Sequence, residues 1–391
     1  MEYNELPHIL LLYATLIPSV RLCGHCQLCE LEKRGYLAYR HSQLLKVSKR
    51  DLQWADTVIL GRLDDPFAYP IVRFLKNAGK QLLYILDDDL LNVPPECTSY
   101  AHYSQSEVQE RIRGIIALSD GIITPSPILA KKYLLPGQRL FPVEEPAIAP
   151  VPYEFRATRT VKIGFAASPD RTCDLETILD TVLLKIKHKY GALVQFEFFG
   201  AIPPFAKELD AVSIGYRDSY DAYRKELSHR AWDIGLAPMP DTPFHACKHY
   251  NKYCEYAAAG IVGVFSRVQP YSRLPGLYSG AVLCENDSES WYQALCRLIE
   301  DPQYRETLRK QVSQEAHGAL SEAAVAEAFY RESGDSLAYR APHNRISPSF
   351  WLHRAFWLLG WAKGIWNSYG FGIFGKIFTK MRTALHRRTR V

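Results

Sequence analysis

Asp233-Ile-Gly-Leu-Ala-Pro-Met-Pro240, then Lys248-His-Tyr-Asn-Lys-Tyr-Cys-Glu-Tyr-Ala-Ala-Ala-Gly260, then Gly263-Val-Phe265 follow one another in the second half of the chain. The apolar run Ile234 to Ala237 has the length of a buried strand, and the prolines after it carry the chain out into a polar loop. A helix over the second segment presents Lys248, Lys252 and Glu255, and the small residues Ala257 to Gly260 let it approach its neighbours closely. Gly263 to Phe265 reads as the next strand. Strand, loop, helix and strand form the unit of a parallel sheet with helices on its faces. Such sheets take ligands at the carboxyl ends of their strands.

The alternation extends in both directions. Val161 to Ala166 and Val194 to Phe199 read as strands around a helix over Leu175 to Lys189. In the first half, strands are expected over Ile9 to Ala14, Thr57 to Leu60, Gln81 to Leu86 and Gly121 to Thr124, with helices over Asp65 to Ala78, Ser106 to Leu118 and Ile128 to Leu134. The Pro-rich stretch Phe141 to Pro152 interrupts the pattern and reads as an interdomain linker. A length of 391 residues also exceeds one ordinary core. The expected class is α/β, with two Rossmann-like domains facing a central cleft, an outline that resembles the GT-B fold. The expected division is 1–150, 151–335 and a tail over 336–391.

The opening segment is similar to family 4 of the glycosyltransferases and its relatives, in which D-I-G-L-A-P-L is followed by K-x-x-K-Y-x-E-Y-x-A-x-G. Ile163-Gly-Phe-Ala-Ala-Ser-Pro-Asp-Arg-Thr-Cys-Asp-Leu175 resembles the same family's I-G-Y-x-G-S-P-x-H-x-x-D-L. The resemblance covers Val161 to Phe329. It implies an acceptor domain first, a nucleotide-sugar donor domain second, and hexosyl transfer with retention. In the family the matching Glu binds the donor's ribose, a role that falls on Glu255, since a carboxylate can accept from two hydroxyls; a Glu paired with Lys252 on a helix surface is the alternative. Lys248 and Lys252 suit the diphosphate, or are solvated helix lysines. Arg171 stands where relatives often carry His; it suits the diphosphate and the departing charge, while a plain loop arginine is the alternative. Ser168 belongs to the same phosphate-facing turn, or simply caps a helix. The family's first Glu, eight positions before the second, is Cys247 here, which leaves sugar identity open.

The acceptor side carries fewer signals. Leu83 to Asp89 reads as a strand running into Asp87, Asp88 and Asp89, and related enzymes often show a similar acidic run facing the cleft. Asp87 or Asp88 can orient an acceptor hydroxyl or take its proton. A divalent ion and a solvated acidic turn are competing readings. No metal or other cofactor is expected, because GT-B enzymes generally hold the diphosphate with protein dipoles and cations. His102 lies nearby as a lone His. Cys23, Cys26 and Cys29, with His25 among them, have the spacing of metal-binding thiolates but lack a fourth ligand. Ordinary loop or helix cysteines are expected there, with metal binding and redox reactivity as alternatives.

Charge is divided unevenly. Residues 336–391 contain ten Lys or Arg, no Asp or Glu and four of the seven Trp. With +5 overall and +10 in this tail, residues 1–335 carry −5. On a helical wheel over Phe350 to Asn367, Trp351, Leu358, Leu359, Ile365 and Trp366 share one face and Lys363 lies opposite, the pattern of an interfacial helix. An anionic membrane surface is the expected partner of 350–391, and nucleic acid is not, because no reading module accompanies the charge. Nine cysteines, no basic leader before the apolar stretch His8 to Pro18, and no apolar run of spanning length suggest a cytoplasmic chain on the inner membrane face. The expected activity is sugar transfer from a nucleotide-sugar to a glycan or lipid-linked acceptor, in cell-surface polysaccharide or glycolipid assembly. A GT-B sugar-nucleotide epimerase and a non-catalytic nucleotide-sugar binding protein are the alternatives.

Overall fold

The computed structural model of the chain describes residues 6–155 and 159–341. The basic segment 350–391, including the amphipathic helix expected over Phe350 to Asn367, lies outside the described residues.

The first sheet contains β1 (His8–Tyr13), β2 (Ala38–Gln43), β3 (Thr57–Gly61), β4 (Gln81–Ile85), β5 (Gly121–Thr124) and β6 (Arg139–Pro142), in the order β2-β1-β3-β4-β5-β6. The second contains β7 (Val161–Ala167), β8 (Val194–Gly200), β9 (Val212–Ile214), β10 (Ile234–Ala237), β11 (Val262–Ser266) and β12 (Val282–Cys284), in the order β12-β11-β10-β7-β8-β9. All pairings are parallel. Parallel strands need crossover helices on both faces, so central strands are buried on both sides and their sequences are almost continuously apolar. In β1, Leu10 and Leu12 join one core with Val58, Leu60 and Ile112, while Ile9 and Leu11 join the other with Ile59 and Leu83. Strand order reverses between β1 and β3 in the first sheet and between β7 and β10 in the second. Those reversal points open the crevices in which such folds seat ligands.

The linker begins later than the sequence pattern suggests, because Phe141 and Pro142 still pair with β5 as part of β6. Beyond it, Ala147 N donates to Leu320 O at 2.8 Å and Val151 N to Ala258 O at 2.8 Å, which ties the crossing segment to the second domain. The last helix among the described residues, Glu322–Leu337, falls almost wholly in the 151–335 region by sequence but packs back on the first domain. Its Ala326, Phe329 and Leu337 enter the core that contains Ile9 and Leu11. Tyr330 stacks on Tyr36 at 4.3 Å, and Arg34 Nη1 lies 2.9 Å from Glu327 Oε2. The apolar face of this helix is completed by the first domain, a tertiary fact its own periodicity does not carry. Among the described residues no helix is long and apolar enough to cross a membrane.

Candidate functional site

A row of three glycines crosses the second sheet, and one of them, Gly235, faces the helix Asn251–Ala258. Gly164, Gly235 and Gly263 stand side by side in register on β7, β10 and β11. A Cβ on Gly235 would lie 2.6 Å from the Tyr256 ring, and one on Gly164 only 2.0 Å from the ring of Trp232. Gly164 makes room for Trp232, and Gly235 lets the helix sit directly on β10, where Tyr256 Oη donates to Leu236 O at 2.7 Å. Asp233, fully buried at the entry to β10, accepts from Lys162 N at 2.9 Å and faces Arg309 Nη2 at 2.7 Å. At the exit of β10, Met239 N donates to Ser266 Oγ at 2.8 Å. Helix and loop are thus both fixed at the reversal point.

A cavity of about 230 Å³ lies there, between the domains. Asp87, Asp88, Ser168, Arg171, Lys248, Lys252 and Glu255 all line it. A second compartment of about 420 Å³ adjoins it and shares Ala167, Ser168, Lys252 and Glu255. Its other walls include Phe199, Tyr216, Arg217, Tyr220 and Tyr223, so one compartment is rich in charge and its neighbour in aromatic rings. Glu255 stands at the junction. Its Oε2 accepts from Lys252 Nζ at 2.5 Å and Tyr223 Oη at 2.8 Å, and Lys252 Nζ also reaches Tyr223 Oη at 3.0 Å. The Glu255–Lys252 pair is real, but it lines the cleft instead of an open helix surface, with side-chain exposures of 10% and 22%.

Lys248 Nζ donates to Asp88 Oδ1 across the cleft at 2.8 Å. Burial alone would raise the Asp88 carboxyl; the Lys248 and Arg62 charges outweigh it and hold the group below its ordinary value. Asp87 pairs with Arg62 Nη1 at 3.2 Å. Arg171 is paired with Asp174, and its Nη2 reaches Met239 Sδ at 3.5 Å. Burial would lower the guanidinium, and the charge of Asp174 more than compensates. Ser168 makes no capping bond to the turn that follows; its hydroxyl donates to Asp170.

Other residues singled out by sequence lie elsewhere. Asp89 is buried, bound by Lys132 Nζ at 2.6 Å, by Asn92 Nδ2 at 3.0 Å and by Tyr133 Oη. Cys247 leaves its own domain and packs in the first domain's core, with Sγ 3.9 Å from Asp89 Oδ2. His102 pairs with Asp64 at 3.0 Å outside the cavity. Cys23 faces Glu145, Cys26 packs with Leu22 and Ile148, and Cys29 lies beside His25. No group of His, Cys, Asp or Glu among the described residues has the arrangement of a metal site.

The sequence reading missed Glu145 and His249, which also line the charged cavity. His249 Nε2 lies 3.0 Å from Glu144 Oε2 and its Nδ1 3.9 Å from Glu145 Oε1. Burial lowers the imidazole, but the two glutamates raise it on balance above its usual value. Burial pushes Glu145 up to about 7. A signal was present, because Glu144 and Glu145 are the only ionisable residues in an otherwise apolar Phe141–Pro152 stretch.

No family model matches the chain, and no curated protein matches its sequence. Solved structures do resemble it. Sucrose-phosphate synthase from Thermosynechococcus elongatus superposes with a TM-score of 0.57 at 14% identity, over 85% of this chain and 99% of the other. Anabaena Alr3699/HepE, in complex with UDP and glucose, gives 0.54 at 13% identity, over 84% and 99%. A Listeria monocytogenes protein assigned as a UDP-N-acetylglucosamine 2-epimerase gives 0.51 at 10% identity, over 85% and 97%. With the two six-stranded parallel sheets, these likenesses establish the GT-B fold of two Rossmann-like domains.

Proposed function

We propose that this chain is a glycosyltransferase that binds a nucleotide-sugar across the two compartments and passes its glycosyl unit to a hydroxyl of a glycan or lipid-linked acceptor. One observation carries the reading: a single carboxylate, Glu255, joins an aromatic compartment to a cationic one at the reversal point of the second sheet. A nucleobase suits the rings of Tyr216 and Tyr220, the ribose hydroxyls donate to Glu255, and the diphosphate meets Lys252, Lys248 and Arg171. A diphosphate that draws Lys248 away frees Asp88 Oδ1 from its hydrogen-bonded ammonium, while Arg62 still helps keep the carboxyl ionised. The freed carboxylate then orients the acceptor hydroxyl, which passes its proton to the departing diphosphate oxygen as its own oxygen bonds to the anomeric carbon on the same face, the course that retention requires. The bond from that carbon to the diphosphate oxygen breaks, and Arg171 and Lys248 stabilise the departing charge. Protein cations suffice, so no metal is required in this reading. The complex of Anabaena Alr3699/HepE with UDP and glucose supports a sugar-nucleotide donor, and the basic aromatic sequence of 350–391 supports an acceptor assembled at an anionic membrane surface.

Calorimetric titration with a panel of nucleoside diphosphates tests the donor half, since a working site selects one base and a relic selects none. Incubation with a nucleotide-sugar library and membrane lipid extract, read by mass spectrometry, tests the rest. A glycosylated lipid or glycan supports transfer; an isomerised donor formed without acceptor identifies an epimerase.

A further inference from the structure

Glu145 lines the charged cavity from the interdomain linker and is 2% exposed. Its Oε1 accepts from Cys23 Sγ at 3.3 Å. Its Oε2 is closed off from solvent and has no partner among the described residues. A buried carboxyl oxygen left in that state is costly, and native folds retain such groups where a ligand or a reaction uses them. The surroundings hold it there. Cys23 arrives on the π-helical turn Arg21–His25, an irregularity that recurs at functional sites. Gln27 Nε2 donates to Glu144 O at 2.8 Å and Cys254 Sγ to Glu145 O at 3.3 Å, which pins the backbone from both domains.

Charge decides which part of a ligand this carboxyl can meet. An anionic diphosphate belongs with Arg171, Lys248 and Lys252 and is repelled by a carboxylate, whereas a hydroxyl is not. We propose that Glu145 is a substrate-contacting residue whose carboxyl, turning to bring Oε2 to the surface of the cavity it lines, hydrogen-bonds a hydroxyl of the glycosyl unit. This rests on the nucleotide-sugar reading of the cleft. Burial pushes the Glu145 carboxyl up to about 7; His249 and the Cys23 hydrogen bond pull it down, and Asp87 and Glu255 add to the rise. Tyr220 and Cys254 also face it. A hydroxyl donating to Oε2 favours the ionised form, so binding of the glycosyl unit at pH 7 releases a proton.

The test is calorimetry at pH 7 in buffers of different ionisation enthalpy, with UDP against UDP-glucose and GDP against GDP-mannose. Wild-type chain is expected to release a proton with the sugar nucleotide and not with the matching diphosphate. Glu145→Gln is expected to bind the diphosphate within about twofold of wild type, to bind the sugar nucleotide about tenfold more weakly, and to lose the proton release. Wild-type behaviour of the variant with the sugar nucleotide overturns the proposal. Equal weakening of both ligands with a lowered unfolding temperature overturns it too, because that marks a structural linker residue. If the wild-type chain binds none of the four ligands, the reading of the cleft fails, and the proposal falls with it.

Discussion

Glu255 already uses one oxygen for Lys252 and Tyr223, while Oε1 has no partner among the described residues. Replacing it by Gln keeps the shape, removes the charge and strands Lys252 without its anion. Hydrogen bonds to a charged group contribute roughly 1.5 to 3 kcal/mol each, so Glu255→Gln is expected to lower kcat/KM by roughly tenfold to a few hundredfold. Much of the loss belongs in KM, because the ribose is bound before and during transfer; unchanged KM and kcat with the true donor would leave Glu255 a purely structural residue. Glu145 lends itself to a different measurement. Its carboxyl rises from an ordinary 4.5 to about 7 on folding, chiefly by burial, so the folded state holds the proton more tightly than the unfolded chain. The associated stability is fully present below pH 4.5 and is lost as pH rises through about 7. Urea denaturation at pH 5 and pH 8 should show wild type losing on the order of 3 kcal/mol relative to Glu145→Gln, and parallel pH profiles would refute the assignment. These two glutamates differ in legibility for a physical reason. Glu255 sits in a spaced motif on a helix, whereas Glu145 belongs to a linker without periodicity. The partner of Lys248, Asp88, lies 160 positions away, a separation no local pattern encodes.

Among secondary-structure elements, Gly235 on β10 sets how closely the Glu255 helix rests on the second sheet. Gly235→Ala drives a methyl into the Tyr256 ring, and overpacking of this kind costs about 1 to 3 kcal/mol. Nucleotide affinity should fall with stability, because the displaced helix carries Lys252 and Glu255. Gly276→Ala, where nothing lies within 4 Å of the new Cβ, serves as the comparison. Denaturation midpoints and nucleotide titration of the two variants should separate; equal behaviour would mean that the close approach is not a constraint. The same sheets explain which strands could be read. All eight interior strands were legible as apolar runs, from His8–Tyr13 to Val262–Ser266, because both their faces are covered. The four that escaped, β2, β6, β9 and β12, are the four sheet edges. Ala38-Tyr-Arg-His-Ser-Gln43 shows why: a strand at an edge can be largely polar and still pair, and polar edges also resist further pairing.

At the level of the whole molecule, the chain crosses from the first domain to the second and returns. Leu337 is fully buried, Tyr339 Oη donates to Gly79 O at 2.7 Å, and Ala341 N donates to Asp56 Oδ1 at 3.1 Å. Packing on the first domain therefore extends at least to Ala341 among the described residues, and a cut at Asp335 would remove part of it. Nine of the ten Lys and Arg of 336–391 lie beyond Ala341, together with all four of its Trp. Each basic group near an anionic bilayer contributes about 1 kcal/mol, and tryptophans suit the headgroup level, which is the sequence basis for the proposed docking of this segment at an anionic membrane surface. A chain ending at Ala341 is expected to keep its unfolding temperature and nucleotide affinity while losing sedimentation with vesicles rich in anionic phospholipid. The full chain should sediment with those vesicles, less so as salt shortens the range of its charges, and weakly with neutral ones. Equal sedimentation of the shortened and full chains would place membrane contact on the folded body, and the tail would then need another role.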